Sequence, residues 1–284
     1  MRERDIYLEP DIYQYPEHLL EHLETLPKES GVYVFHGLSD TMPLYIGKSI
    51  NIRSRVMSHF RAKDEAKLLR QTTRISCIET AGELGALLLE AQMIKKLQPL
   101  FNKRLRRSKQ LCSLRFINGN VEVVYAKDIN FSSTPNLYGL FSNKKTALER
   151  LRSIADEHQL CYGLTGIEKQ QKNRACFRFS LRKCAGACCG RETTEEHNQR
   201  LFEALSLLQL CCWQYPGRIA IKEASPQLTQ YHVIHNWFYL GTVESLNDID
   251  SLSQVADHFD SDGYKILCKP LISGKLDFII VDEY

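Results

Sequence analysis

Gly31-Val32-Tyr33-Val34-Phe35 is followed, nine residues on, by Leu44-Tyr45-Ile46-Gly47-Lys48. Both runs are rich in β-branched and aromatic residues, which suit a pleated, half-buried surface. Between them lies Gly37-Leu38-Ser39-Asp40-Thr41-Met42-Pro43, a loop by composition, so the pair predicts a hairpin ended by Gly47. Ser49 or Asn51 can cap a helix running to about His59 or Phe60. Upstream, Leu19, Leu20, Leu23 and Leu26 share one face of a predicted helix over Glu17 to Leu26, with Pro27 behind it. Downstream, Lys63 to Gln71 reads as helix and Arg74 to Thr80 as a third strand. Glu83 to Leu97 reads as a long helix, with Leu84, Leu87, Leu88, Ala91 and Ile94 at helical spacing and Pro99 closing it. The order predicts a compact α+β domain over residues 16–107, a small antiparallel sheet flanked by helices.

The rest of the chain, 108–284, is expected to form a second, mixed domain. Strands are predicted within 111–141, best at Val121 to Tyr125. A helix is predicted over Lys144 to Gln159, a Cys-rich loop over 161–190, and a helix over Thr194 to Leu210. Residues 215–284 carry mixed signals that fix no order. No apolar run reaches the ~18 residues a membrane helix needs. The N-terminal stretch lacks the apolar centre of a signal peptide, so the expected compartment is the cytoplasm.

The net charge of +3 hides a sharp division. Residues 1–47 hold three Lys/Arg against nine Asp/Glu, whereas residues 48–109 hold fifteen against five. Such a switch suits a face that meets a polyanion, and a solvated helical surface would give it as well.

The spacing of the polar residues is more specific. Arg55 lies seven residues beyond Lys48, on the predicted helix after the hairpin. Glu90 ends the run Ala86-Leu87-Leu88-Leu89-Glu90, and Asn102 follows twelve residues later, just after Pro99. Two tyrosines, a Gly-Lys pair, a helical Arg, a Glu ending an apolar run and an Asn after Gln-Pro resemble the signature of the GIY-YIG nucleases. They resemble the UvrC branch in particular, over about residues 27–107.

The resemblance implies metal-dependent phosphodiester hydrolysis, which needs an activated water and a means of stabilising charge on the phosphate. Glu90 is the implied ligand of a divalent cation, Mg²⁺ or Mn²⁺. Tyr45 is the implied general base, helped by the charge of Lys48 or of the cation, and Tyr33 would orient the water or Tyr45. Arg55 would hold the scissile phosphate with its planar fork, and Asn102 would fix local geometry. Gly47 would let the backbone turn beside the phosphate. One position departs from the UvrC pattern: His59 stands one helical turn past Arg55, where that pattern has a tyrosine. On the same helix face as Arg55, it could bond the phosphate, move a proton, or simply be tolerated.

Of ten cysteines, Cys161, Cys176, Cys184 and Cys188 are spaced fifteen, eight and four apart. Four thiolates suit zinc or an iron–sulfur cluster, and four reduced cysteines without cofactor are the plainer alternative. The segment is similar to the Cys-rich part of UvrC, which implies a 4Fe–4S cluster. Residues 169–191 also hold seven Lys/Arg and no acid, with Phe177 and Phe179 interleaved. A cationic loop with aromatics can grip a phosphate backbone and stack on bases. Lys103, Arg104, Arg106, Arg107, Arg174, Arg178, Arg182 and Lys183 are therefore the candidate DNA contacts. Thr193 to His197, opening a helix, again looks like the middle of UvrC. After it, the chain is expected to lack UvrC's UvrB-binding coiled coil, second nuclease and helix-hairpin-helix elements. The implied task is a single incision, on the 3′ side of a bulky lesion in double-stranded DNA loaded with UvrB. The rival expectation is a non-catalytic protein that binds damaged DNA or UvrB.

Overall fold

Strands β1 (Gly31–His36), β2 (Tyr45–Ser49) and β3 (Arg74–Glu79) pair antiparallel in the order β2-β1-β3. The expected hairpin is present in this computed structural model, which describes residues 13–39, 42–102, 110–169, 174–252 and 259–281. Gly47 does not end β2. It lies inside the strand, opposite Tyr33. An added Cβ there would fall 2.3 Å from Tyr33 Oη and 2.9 Å from Tyr45 Cε1. The glycine thus makes room for two aromatic rings and makes no turn.

The helix expected at the start is a 3-10 turn, Glu17–Leu19, running into α1 (Leu20–Thr25). Helix α2 (Ile52–Arg61) is capped by Asn51, whose side chain accepts the Ser54 amide at 2.9 Å. A 3-10 turn at Lys63–Glu65 leads into α3 (Ala66–Gln71). Helix α4 (Glu83–Leu97) stops at Gln98, which takes a left-handed conformation with φ 47° just before Pro99. The sheet buries both faces. Tyr33 and Phe35 pack with Ile52, Val56, Phe60, Leu68 and Leu69 of α2 and α3. Val32, Val34 and Ile46 pack on Ile94 of α4, with Leu89, Met93 and Leu97 alongside. Each such side chain contributes roughly 1.5–3 kcal/mol when fully buried.

The described residues of 108–284 hold two further sheets. Strands β4 (Cys112–Ile117), β5 (Asn120–Tyr125) and β6 (Leu137–Phe141) form one, in the order β5-β4-β6. Helices α5 (Lys144–Glu157) and α7 (Thr194–Ser206) pack on it through Ala147, Leu151, Ile154, Leu201 and Leu205. Between them lies the Cys-rich segment, with a single helical turn α6 (Phe177–Ser180). Helix α7 opens with a capping box between Thr193 and Glu196.

The unordered C-terminal signals resolve into β7 (Ile219–Ala224), β8 (Thr229–His235), β9 (Phe238–Val243), α8 (Ser261–Ile272) and β10 (Phe278–Ile280). The sheet order is β10-β7-β8-β9. By packing, the chain divides into two compact units: Met1–Arg107 with Tyr215–Val255 and Asp262–Tyr284, and Ser108–Gln214 with Ala256–Ser261. The C-terminal sheet therefore groups with the first sheet, where the sequence suggested one domain over 108–284.

Within that first unit the start of α4 has an unusual cap. Gly82 offers no side chain. The Leu84 and Gly85 amides instead donate to the two carboxylate oxygens of Glu223 in β7, both at 2.9 Å. A carboxylate at a helix N-terminus satisfies free N–H groups and complements the helix dipole. Gly85 allows the approach, because a Cβ there would come within 2.7 Å of His232 Cε1. Among the described residues, no helix is long and apolar enough to cross a membrane.

Candidate active site

Strand β2 is an edge, so every second amide and carbonyl of it points away from the sheet. Two site residues occupy those groups. Asn102 Oδ1 accepts the Ile46 amide at 2.9 Å, and Asn102 Nδ2 donates to the Ile46 carbonyl at 2.8 Å. Two residues on, the Lys48 amide donates to Glu90 Oε1 at 3.1 Å. The long helix α4 and the segment after it are thereby stitched to the hairpin edge. Asn102 is a buried amide that completes the edge strand with both its oxygen and its nitrogen.

Glu90 is half-buried on α4. Burial raises its carboxyl above the usual range, while the Lys48 amide and the charges of Lys48 and Arg55 oppose the rise. A hard cation beside it would restore the carboxylate. One carboxylate among hydroxyls and water fits Mg²⁺, which keeps most of its waters and takes one or two protein carboxylates. The residues present therefore fit a divalent ion at Glu90.

The other face of the hairpin edge carries the aromatic groups. Tyr33 is buried, and its ring centroid lies 6.3 Å from that of Tyr45 and 5.4 Å from that of His59. The Tyr33 hydroxyl is hydrogen-bonded to His59 Nε2 at 2.7 Å, and the Arg55 and Tyr45 side chains are near enough to bear on its ionisation. Burial pushes the Tyr33 hydroxyl above the ordinary phenol range, Tyr45 adds to the rise, and Arg55 opposes it. Burial raises Tyr45 too, the Glu90 carboxylate adds to that, and Arg55 again opposes. The cation acting on both phenols is Arg55. Lys48 alternates to the opposite face of β2, where its ammonium pairs with Glu83 at 2.5 Å.

His59 is only 2% exposed, so its ring is a neighbour of Tyr33 and not a surface group free to meet a phosphate. Its Nδ1 pairs with Glu65, a residue the sequence did not single out. Glu65 sits on the 3-10 turn between α2 and α3. No spacing rule places it beside His59, because the turn at Ala62 brings it back.

In the second unit, the sulfurs of Cys161, Cys176, Cys184 and Cys188 all lie within 4.8 Å of one another. Burial pushes the Cys161 thiol up to about 11 and the Cys184 thiol higher still. At Cys188 burial acts the same way, but hydrogen bonds from the Cys176 amide and the neighbouring thiols outweigh it. His197 holds the Cys161 amide at 3.1 Å from α7. Four convergent thiols fit a soft metal centre. The separation is compact: a zinc ion with sulfurs at about 2.3 Å would set them about 3.8 Å apart. A cluster, in which each thiolate binds its own iron, would need them to spread.

Of the candidate DNA contacts, Arg174, Arg182 and Lys183 are exposed, and Phe177 beside them is 76% exposed. Arg178 is committed elsewhere. It pairs with Asp156 at 2.6 Å, donates to the Lys183 carbonyl at 3.0 Å and stacks 3.7 Å over the Tyr162 ring. It braces the Cys-rich loop against α5 in place of meeting a phosphate. Lys103, Arg104, Arg106 and Arg107 lie outside the described residues.

Comparison with known proteins agrees with this layout along the chain. Residues 29–103 match the UvrC-like GIY-YIG domain, 102–207 the middle domain of UvrC/Cho excinuclease, and 218–283 the C-terminal domain of excinuclease Cho. Excinuclease Cho of Escherichia coli O157:H7 is 59% identical over 95% of this chain and 92% of its own length. UvrABC system protein C of Deinococcus radiodurans is 29% identical over 66% of this chain and 30% of its own length. Among solved structures, the GIY-YIG N-terminal endonuclease domain of UvrC from Thermotoga maritima, bound to its catalytic divalent cation magnesium, is 28% identical. It covers 30% of this chain and 97% of that one, with a TM-score of 0.28.

Proposed function

The chain belongs to the excinuclease Cho family of UvrC-like GIY-YIG endonucleases, and we propose that it nicks damaged DNA on the 3′ side of a bulky lesion held by UvrB. The observation that supports this best is the convergence of Tyr33, Tyr45, Arg55 and Glu90 about one strand edge, with Asn102 locking that edge. A DNA-binding protein without catalysis has no need to bury a carboxylate beside two phenols.

In this reading Glu90 holds the divalent cation. When bound, the ion supplies positive charge against the negative charge that builds on the phosphate during hydrolysis. Tyr45 takes the proton of the attacking water. Its raised affinity for protons keeps it a phenol in the bare chain, and the Arg55 charge draws it toward the phenolate. Tyr33 orients Tyr45 by packing beside it, their ring centroids 6.3 Å apart. Arg55 is exposed on α2, so its fork can close on the scissile phosphate. Arg174, Arg182 and Lys183 would add backbone contacts, which makes binding fall with salt. Selectivity would come from UvrB and from DNA distortion, not from base readout.

The test is a duplex with one bulky lesion and a labelled strand, incubated with Mg²⁺ with and without UvrB. A single 3′ nick that requires UvrB is expected. Equal cutting of undamaged DNA without UvrB would remove the partner and the repair role.

The cysteine set is proposed to hold a 4Fe–4S cluster, as the family resemblance implies, that staples the basic loop. The compact sulfurs favour zinc as the second reading. Anaerobically purified chain should carry iron and acid-labile sulfide in equal amounts, lost in Cys184→Ser. Stoichiometric zinc without sulfide would decide for the other ion.

A further inference from the structure

Glu65, His59 and Tyr33 form a line of contacts that ends on the proposed nuclease residues. A neutral imidazole carries one N–H and one lone pair, and an ionised carboxylate can only accept. A carboxylate at Nδ1 therefore keeps the proton on that nitrogen and leaves Nε2 as the acceptor. With Nε2 accepting, the Tyr33 hydroxyl must donate to His59. Its oxygen lone pairs are then left open on the side of the Tyr45 ring, 6.3 Å away between centroids, and of the Arg55 charge that bears on it.

The opposite tautomer reverses this order. A proton on Nε2 would take up a Tyr33 lone pair and turn the Tyr33 proton away from His59, toward the side where Tyr45 and Arg55 stand. The imidazole is only 2% exposed, so water has little room to repair the mismatch. Glu65 is 31% exposed, so replacing it leaves no sealed cavity.

We propose that Glu65 is a positioning residue of the nuclease site: by fixing the His59 tautomer, it makes the Tyr33 hydroxyl donate to His59 and leaves the Tyr33 oxygen open toward its neighbours Tyr45 and Arg55. The proposal depends on Tyr33 and Tyr45 serving incision as described above. It also gives the departure at position 59 a meaning. A tyrosine there could bond Tyr33 by either donating or accepting, whereas a histidine needs a partner to choose its tautomer, and Glu65 is that partner.

The test uses the full chain labelled with ¹⁵N-histidine, with the His59 ring assigned by comparison with His59→Asn, at pH 8. The wild type should show the proton on Nδ1. Glu65→Ala should move it to Nε2 and lower kcat for Mg²⁺-dependent incision by about 10- to 100-fold, with KM for DNA unchanged. Glu65→Gln, whose carbonyl accepts the same N–H, should keep the tautomer and recover most of the rate. A wild-type proton on Nε2, protons on both nitrogens, or Glu65→Ala cutting at the wild-type rate would each overturn the proposal. If the wild type cuts no DNA at all, the nuclease reading fails and the positioning role falls with it. If the wild type cuts and Glu65→Ala cuts equally well, only the role of Glu65 is lost.

Discussion

Replacing Glu90 by alanine is expected to lower single-turnover incision by about 10³-fold, roughly 4 kcal/mol of barrier, with DNA affinity held. The substitution removes the carboxylate that fits the cation, while the exposed Arg174, Arg182 and Lys183 remain to bind the backbone. A filter-binding titration beside the cleavage assay separates the two effects. Glu90→Gln adds a second, independent readout. Burial raises the Glu90 carboxyl, so the folded chain holds that proton more tightly than the unfolded chain. The matching stability is fully present below the ordinary carboxyl range and is lost as pH rises through the raised value. At pH 8 without divalent ions the wild type has lost it, and the glutamine variant has nothing to lose. Its Tm should exceed that of the wild type at pH 8, with the gap closing as the pH falls. Mg²⁺ should raise the Tm of the wild type and not that of the variant. A wild-type cleavage rate in Glu90→Ala would remove Glu90 from the metal site.

Tyr45→Phe is expected to lower kcat by about 10²- to 10⁴-fold, the usual worth of a positioned general base. The ring stays, so the packing against Phe35 and Tyr33 survives and the fold should hold. Burial and Glu90 raise the affinity of Tyr45 for its proton, so the reactive phenolate is scarce at neutral pH. The wild-type rate should therefore climb with pH, up to tenfold per unit, and Tyr45→Phe should lose that slope. The stability effect has a related sign. The raised phenol favours the folded chain below the ordinary phenol range, and this is lost as pH rises through the raised value. Alkaline unfolding should begin later in the phenylalanine variant. A steep pH slope retained in Tyr45→Phe would assign the base to another group.

The nuclease sheet and the places of the candidate site residues were legible because they are local. Tyr33 and Tyr45 lie on one hairpin, and Arg55 lies on the helix that the hairpin feeds. Strong periodicity marked α4 to the residue, and with it the place of Glu90. The roles were less legible than the positions. Gly47 carries the mark of a turn, yet it sits within a strand to clear the Tyr33 ring. Arg178 belongs to a basic run, but Asp156 and Tyr162 take its charge and its face. Glu65 could not be seen because its contact depends on how one short turn folds back.

The C-terminal sheet was hidden for another reason. Its order sets the three-residue β10 beside β7, some sixty residues earlier in sequence, and a bulge shifts the register between Val233 and Ile234. Pairing that depends on distant partners leaves little periodicity in any one strand. The hold of Glu223 on the start of α4, across more than a hundred residues, is the same kind of fact. It gives the C-terminal sheet a place in the nuclease unit, since the helix so capped is the one that carries Glu90.

The most direct measurement is incision of a lesion-containing labelled duplex by the purified full chain loaded on UvrB, with Mg²⁺ and with the metal chelated. One discrete nick that appears with Mg²⁺ and vanishes with the chelator is the predicted result. Intact DNA under both conditions, with binding to the duplex or to UvrB retained, would contradict the nuclease account and leave a binding protein in its place.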